Sequence, residues 1–522
     1  METLKPHPSV RAIFKDFSDR TSCHGIGQIG GSQSVMWRVS WLMIFLAGLG
    51  MVLYQGLTLL DTYLNKPTAT AVDITYSEVT NFPSVTICNM NMIKKSQLQH
   101  FPQVKRLVDT FNNMTSSNSS LNSSAFMDTN REKAEKDRLS LNTKNSKNKV
   151  ILNNVNIDMQ RYIEDKIVQY LSMSDTTKLM KAGHVFRELV FRCVWNGFVC
   201  NKGDFLKYWR PFWHWRYGNC YTFNQGVDVN GTELPSLASS KPGPMYGLTL
   251  DLFIDQEQYI IPLSQEAGVK VLLSDQRNIP FPFTHGFTVQ PGVSASAGIR
   301  QLVIKRIDPF SNGSCYSGNG LEANSIYHKY KGMRYSVQGC MSSCLANNQF
   351  KVCNCTEGKF RAKGRPCMTE PEVKCLNNIS KKYENGSLGC SKSCPQPCTH
   401  YSFRRTISQT QWSDSYEKTF QRLVRKSDRG FANKMNDASI LRKNFLRVKL
   451  YYEELNRETI TYSLSYPVEN LLGDVGGQLG LWIGVSVITC AEFLKLLVDL
   501  AWYLASKMSG KTKTQVQDLN MQ

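Results

Sequence analysis

Histidine is scarce in this chain: there are eight in 522 residues, and none stand at a paired-ligand spacing. That removes the usual basis for a zinc centre. The H-E-x-x-H, G-x-S-x-G and P-loop motifs are missing as well. Each encodes a local geometry its chemistry needs, so no motif argues for an enzyme or a resident cofactor, although scattered groups leave an ectoenzyme open. No repeat recurs at solenoid period. Acidic residues are in deficit, 42 Asp and Glu against 62 Lys and Arg, a formal charge of +20. Such an excess points first to nucleic acid or to an acidic membrane surface. The basic residues are spread along the chain without a nucleic-acid-binding signature, so membrane lipids are expected as partners and nucleic acid is not.

Cysteine is plentiful. Cys23 and Cys490 stand apart, and the other fourteen of the sixteen fall between Cys88 and Cys398, ten of them from Cys315 onward. This density reads as a disulfide framework in an oxidising compartment. Sequons agree, at Asn113, Asn118, Asn122, Asn230, Asn312, Asn378 and Asn385. An eighth, Asn354, is squeezed between two cysteines and is not expected to be used. All lie inside the cysteine-bearing stretch, where glycosylation would place them outside the cell.

Two apolar runs flank that stretch. Trp41 to Leu60 carries no charge and has the length that crosses a hydrocarbon core of roughly 30 Å. It is too long and starts too far along for a signal peptide. Lys5, Arg11, Lys15, Arg20 and Arg38 precede it; Lys507, Lys511 and Lys513 follow the second run, Leu471 to Ala505. The positive-inside rule puts both ends in the cytosol. The expected organisation is a cytosolic segment 1–40, a span 41–60, an extracellular domain 61–466, a second span 467–505 and a cytosolic tail 506–522. Within the ectodomain, 112–150 reads as a polar insertion and 151–190 as helical. Residues 191–310 carry strand-like runs, and 444–467 alternates as a pair of strands would.

The second span opens with GDVGGQLGLWIGVS, residues 473–486, which is poor material for a lipid-facing helix because each glycine costs about 1 kcal/mol against alanine. Asp474 is too costly to face lipid. Glu492, Lys495 and Asp499 share one helix face; they make either an internal Glu492–Lys495 salt bridge or the lining of an inner vestibule. Gly476, Gly480 and Gly484 fit small-xxx-small packing. They equally fit a symmetric ring of several copies, in which Gly484, Val485 and Ser486 would present carbonyl and hydroxyl dipoles to an ion. The G-x-G-x-x-G of Gly25 to Gly30 follows no strand, so it does not read as a dinucleotide site. A turn or a re-entrant element under the membrane fits better.

Seven elements in order carry a resemblance to the degenerin/epithelial sodium channel family over most of the chain. They are His24-Gly25, FPSVTICN at 82–89, RYGNCYTFN at 216–224, YGLTLDLFIDQEQYI at 246–260, PFPFTHGF at 280–287, YSVQGCMSSC at 335–344 and GDVGGQLGLWIGVS. The resemblance implies an α+β membrane protein with two transmembrane helices per subunit. It also implies a disulfide-rich, hand-shaped ectodomain around a central β-sheet, and a trimer of one or several subunit kinds. The activity it implies is a sodium-selective channel blocked by amiloride, with Na+ as the permeant ion. It implies the pairs Cys88–Cys220, Cys193–Cys200, Cys315–Cys398, Cys340–Cys394, Cys344–Cys390, Cys353–Cys375 and Cys355–Cys367, a connectivity that spacing alone leaves open. Gly484-Val485-Ser486 falls at the family's selectivity belt, with Val485 departing from the Ala of acid-sensing members. Gly473, beside Asp474, matches the position where a bulky residue props the pore open, and His24-Gly25 matches the family's gating motif.

The acid-sensing branch carries a His pair soon after the first span, which TYLNKPTATAVDITY at 62–76 lacks. The stretch Lys359 to Lys382 is rich in Lys and Arg, with carboxylates only at Glu357, Glu370, Glu372 and Glu384 in and around it. Steep proton gating needs clustered carboxylates of raised pKa. Between Val194 and Tyr221 lie Trp195, Phe198, Trp209, Phe212, Trp213 and Trp215. They read either as internal packing or as a surface for Phe and Arg side chains of a peptide. Together these features favour a channel similar to the invertebrate FMRFamide-gated members, opened by an amidated extracellular peptide. A proton- or force-gated member is the alternative, and a non-channel membrane glycoprotein a distant one.

Overall fold

The computed structural model describes residues 10–116, 159–261, 263–307, 315–318, 321, 324–360, 363–427 and 438–519. It divides into two units, Met1–Thr70 with Tyr462–Gln522, and Ala71–Thr461.

The larger unit is built on two sheets. One is seven-stranded, with the strands Thr399–Gln411, Val293–Lys305, Phe445–Leu464, Leu248–Phe253, Val190–Trp195 and Phe198–Val199 in that spatial order, and Thr68–Tyr76 added on Phe445–Leu464. Val293–Lys305 runs parallel to Phe445–Leu464 and antiparallel to Thr399–Gln411. The other sheet is five-stranded, ordered Phe287–Val289, Val269–Ser274, Ser84–Asn89, Gly218–Phe223, Trp209–His214. Ser84–Asn89 and Gly218–Phe223 are buried throughout. Leu248, Leu250, Leu252, Val448 and Leu450 form the core between the sheets. On the other face of strand Leu248–Phe253, Asp251 is fully buried opposite Arg447 on the neighbouring strand, beside Tyr416 and Trp412. The guanidinium donates two hydrogen bonds to the carboxylate, at 2.5 and 3.0 Å. Such paired geometry is what makes a buried charge tolerable.

Seven disulfides brace the unit: Cys88–Cys220, Cys193–Cys200, Cys315–Cys398, Cys340–Cys394, Cys344–Cys390, Cys353–Cys375 and Cys355–Cys367. Cys88 and Cys220 are register partners in the second sheet. Five bridges hold a helical arm whose two main helices are Val337–Cys353 and Glu370–Glu384. Ser336 caps the first of these by accepting the Gly339 N–H. Thr369 and Glu372 close a capping box on the second, the reciprocal arrangement that satisfies two orphan donors. Asn113, Asn230, Asn378 and Asn385 are exposed, and Asn118, Asn122 and Asn312 lie outside the described residues.

The aromatic run does not form one surface. Trp195 and Phe198 belong to the seven-stranded sheet, and Trp209, Phe212 and Trp213 to the five-stranded one. Trp195 is 5 % and Trp209 7 % exposed. Trp195 packs edge-on against Phe82 at 4.5 Å, and Trp209 against Phe186 at 4.9 Å and Phe223 at 5.0 Å. The indole N–H of Trp209 is spent on the Cys200 carbonyl. A peptide surface made of all six is therefore corrected: these two tryptophans are core. Phe212 packs beside the Cys88–Cys220 bridge, Trp213 against a helical cluster and Trp215 against Phe283, while Phe198 stays exposed.

Candidate pore segment

The smaller unit is helical. Val35–Leu64 is long and apolar enough to cross a membrane, and Val468–Ile483 with Val487–Ala505 qualifies as a second crossing if the bent pair is one span. The chain just after the first helix meets the chain just before the second where Ser465 donates both its N–H and its hydroxyl to the Pro67 carbonyl, each at 2.9 Å. Lower down, Gly48 brings the two helices together. A Cβ there would lie 3.1 Å from the Trp482 carbonyl. The Trp482 indole also donates to Gln55 at 2.8 Å.

The two halves of the bent pair diverge by 71°, and local chemistry explains the break. Gly484 sits at φ +68°, the left-handed region that ends a helix. Its N–H still reaches the Gly480 carbonyl, and the Val485 N–H reaches back to Leu479, both at 3.1 Å. Ser486 then starts the next helix. Its hydroxyl accepts the Thr489 N–H at 3.3 Å, while the Thr489 hydroxyl accepts the Ser486 N–H at 3.0 Å. This reciprocal cap is the capping-box arrangement with Thr in the returning role. Thus Gly484 stops one helix and Ser486 begins another, and Val485 lies between.

A break leaves carbonyls without helical partners. The Ile483 carbonyl accepts the backbone N–H of His24 at 2.9 Å and the thiol of Cys23 at 3.3 Å. The same loop also binds the second helix of the bent pair. The Glu492 carboxylate accepts the Ser22 N–H at 2.9 Å and the Thr21 hydroxyl at 3.0 Å, and the hydroxyls of Ser22 and Thr489 are 2.6 Å apart. Gly25, at φ +86°, turns the chain into the short helix Ile26–Gly31. Helix Val10–Arg20 lies along the lower half, with Phe17 and Phe493 rings 5.0 Å apart. The fit at the break is tight, since a Cβ on Gly484 would fall 2.6 Å from the His24 imidazole.

His24, Gly484, Ser486 and Glu492 therefore share one site. Among the described residues no ion pair joins Glu492 to Lys495; the N-terminal loop takes that carboxylate instead. Asp499 is exposed two turns further on. Gly473 and Asp474 lie about three turns above the break, both exposed, and the Asp474 carboxylate accepts the Tyr466 hydroxyl at 2.6 Å. Thr21, Ser22, Cys23 and Thr489 complete the clasp and carry no motif. Their partners are 460 to 471 positions away, beyond the reach of any local pattern.

The family model for the amiloride-sensitive sodium channel matches residues 17–496. The chain thus belongs to the degenerin/epithelial sodium channel family, a family of ion channels rather than enzymes. It is 33 % identical to degenerin mec-4 of Caenorhabditis briggsae over 64 % of the chain and 41 % of that protein. It is 31 % identical to degenerin unc-8 of Caenorhabditis elegans over 63 % of the chain and 42 % of that protein. The likeness to the epithelial sodium channel subunit alpha of Neoceratodus forsteri is 25 %, over 95 % of the chain and 80 % of the relative. The chain spans about two-fifths of these two degenerins and about four-fifths of that epithelial subunit.

Proposed function

We propose that the chain is a pore-forming subunit of a sodium-selective channel of the plasma membrane, blocked by amiloride, with both termini in the cytosol. The observation that supports this most is the helix break at Gly484–Ser486, clasped by the His24 loop. A break of this kind bares carbonyl and hydroxyl dipoles at membrane depth, where irregular backbone is tolerated only beside protein or a water-filled path. Two spans enclose no pore, so copies must assemble, as a homotrimer or with sister subunits as a heterotrimer. Gly473, Gly476, Gly477 and Gly480 support this, because a Cβ at each would meet nothing within 4 Å of its own chain. That side of the helix is free to let other copies approach. In this reading Gly484, Val485 and Ser486 are the selectivity constriction, Gly473 and Asp474 the outer gate, and Glu492 and Asp499 the inner lining. The ectodomain is hand-shaped, and its exposed sequons are glycosylated.

For the stimulus, the reading is an amidated, FMRFamide-like neuropeptide. It is supported by the missing His pair after the first span and by the basic character of the Lys359–Lys382 stretch. The aromatic contribution is reduced to exposed Phe198 and half-buried Phe212, Trp213 and Trp215. One observation favours proton gating as the second reading: burial pushes the Asp275 carboxyl up to about 6, against the opposing pull of Arg334. The test is whole-cell recording from the expressed chain. Amiloride-blocked sodium current on adding an amidated Arg-Phe peptide at constant pH is expected. Current on acidification alone would replace the first stimulus by the second, and surface-expressed chain without current under either would remove both.

A further inference from the structure

The ectodomain unit contains a cavity of about 1020 Å³ between the loop that follows strand Val269–Ser274 and the disulfide-braced base of the helical arm. Its volume is at the upper end of the range of small-molecule pockets, about 300–1000 Å³. Its polar lining includes Asp275, His285, Arg334, His400 and Arg405. Part of the wall is aromatic, with the rings of Tyr316 and Tyr335 4.2 Å apart.

The charge balance selects the ligand. Among the described lining residues two guanidiniums face one carboxylate. The Arg334–Asp275 contact is long, 3.6 Å, so it engages the Arg334 fork incompletely. Arg405 is exposed, lies 5.2 Å from the centre of the Phe287 ring, and its guanidinium donates to the His285 carbonyl at 3.4 Å. Burial and the charges of Arg306 and His285 hold His400 below its ordinary pKa. Two guanidiniums against one carboxylate leave the described lining with a net positive charge, which repels amines and guanidiniums. It favours a planar anion that a guanidinium can grip bidentately while its ring lies on tyrosine.

We propose that this cavity is a binding site for an aromatic organic anion, a ring-bearing carboxylate or sulfonate gripped by Arg334 and Arg405. Because one wall is the loop beside Asp275 and another is tied by Cys315–Cys398, an occupant bridges two structural layers and stabilises the ectodomain.

The test uses the full-length glycosylated chain in detergent and three matched probes: 1-naphthoate, neutral 1-naphthamide and cationic 1-naphthylmethylamine. The readouts are calorimetric affinity and thermal shift, neither of which needs an open channel. Naphthoate should bind and raise the melting temperature, and the other two should bind at least about tenfold more weakly, the worth of one lost charged hydrogen bond. Arg405→Gln, at an exposed position where folding is safe, should weaken naphthoate about tenfold or more, and Arg405→Lys by less. Equal binding of all three probes, or unchanged naphthoate affinity in Arg405→Gln, would overturn the proposal. If Arg334→Gln misfolds, Arg405→Gln and the probe series still decide it.

Discussion

Gly484 bears two demands at once. Its backbone lies at φ +68° and its missing Cβ makes room for the His24 ring. Alanine there meets the left-handed penalty of roughly 1–2 kcal/mol and a collision that only movement of the N-terminal loop relieves. Cys23 in that loop is buried, whereas Cys490 is exposed. In a Cys490→Ser background, Gly484→Ala is therefore expected to speed modification of Cys23 by a membrane-permeant maleimide. An unchanged rate would mean the loop is not held by this fit. Asp275 makes a second prediction at this scale. Its folded pKa, about 6, lies above the ordinary 3.8, so the folded state holds a proton that the unfolded state has lost between these values. This contribution favours folding in acid and is lost as pH rises through about 6. The melting temperature of the native protein relative to Asp275→Asn should fall from about pH 4.5 to about pH 7; a flat difference would contradict the assignment.

At the scale of the element, the bent pair joins opposite requirements. A stop and a start are written two residues apart, as a left-handed glycine and a serine cap. The sequence made the poor helix-forming character of 473–486 plain, since glycine content alone announces it. It did not show what receives the freed Ile483 carbonyl, because the donors lie at Cys23 and His24. The aromatic run fails as a guide for a related reason. Strands adjacent in sequence joined different sheets, so closeness along the chain did not become closeness on a surface. The glycines between Gly473 and Gly480 permit a prediction here. A leucine at Gly480 meets no atom of its own chain within the reach of a Cβ. Gly480→Leu should leave the chain folded and glycosylated while reducing the assembled species on a native gel. Undiminished assembly would show that this face meets lipid rather than another copy.

Across the whole molecule, composition and patterning made much legible. Fourteen cysteines beside clustered sequons, between two apolar runs, indicate an oxidised extracellular domain between membrane helices. Helix Val35–Leu64 continues beyond both ends of the uncharged run that announced it, because hydropathy marks what lies in hydrocarbon and not where hydrogen bonding stops. The pairing of cysteines was not legible from spacing; it needed either the resemblance or the fold, which sets Cys88 opposite Cys220 on neighbouring strands. The stimulus was least legible, since the missing His pair and the basic 359–382 stretch argue against one stimulus without identifying another. The central claim is that 473–486 lines a sodium pore, and Gly473 tests it most directly, since open space surrounds its Cβ within the chain. Voltage-clamp recording from cells expressing Gly473→Val is predicted to show a standing inward current carried by sodium and blocked by amiloride. The same substitution reaching the cell surface without any standing current would contradict the account.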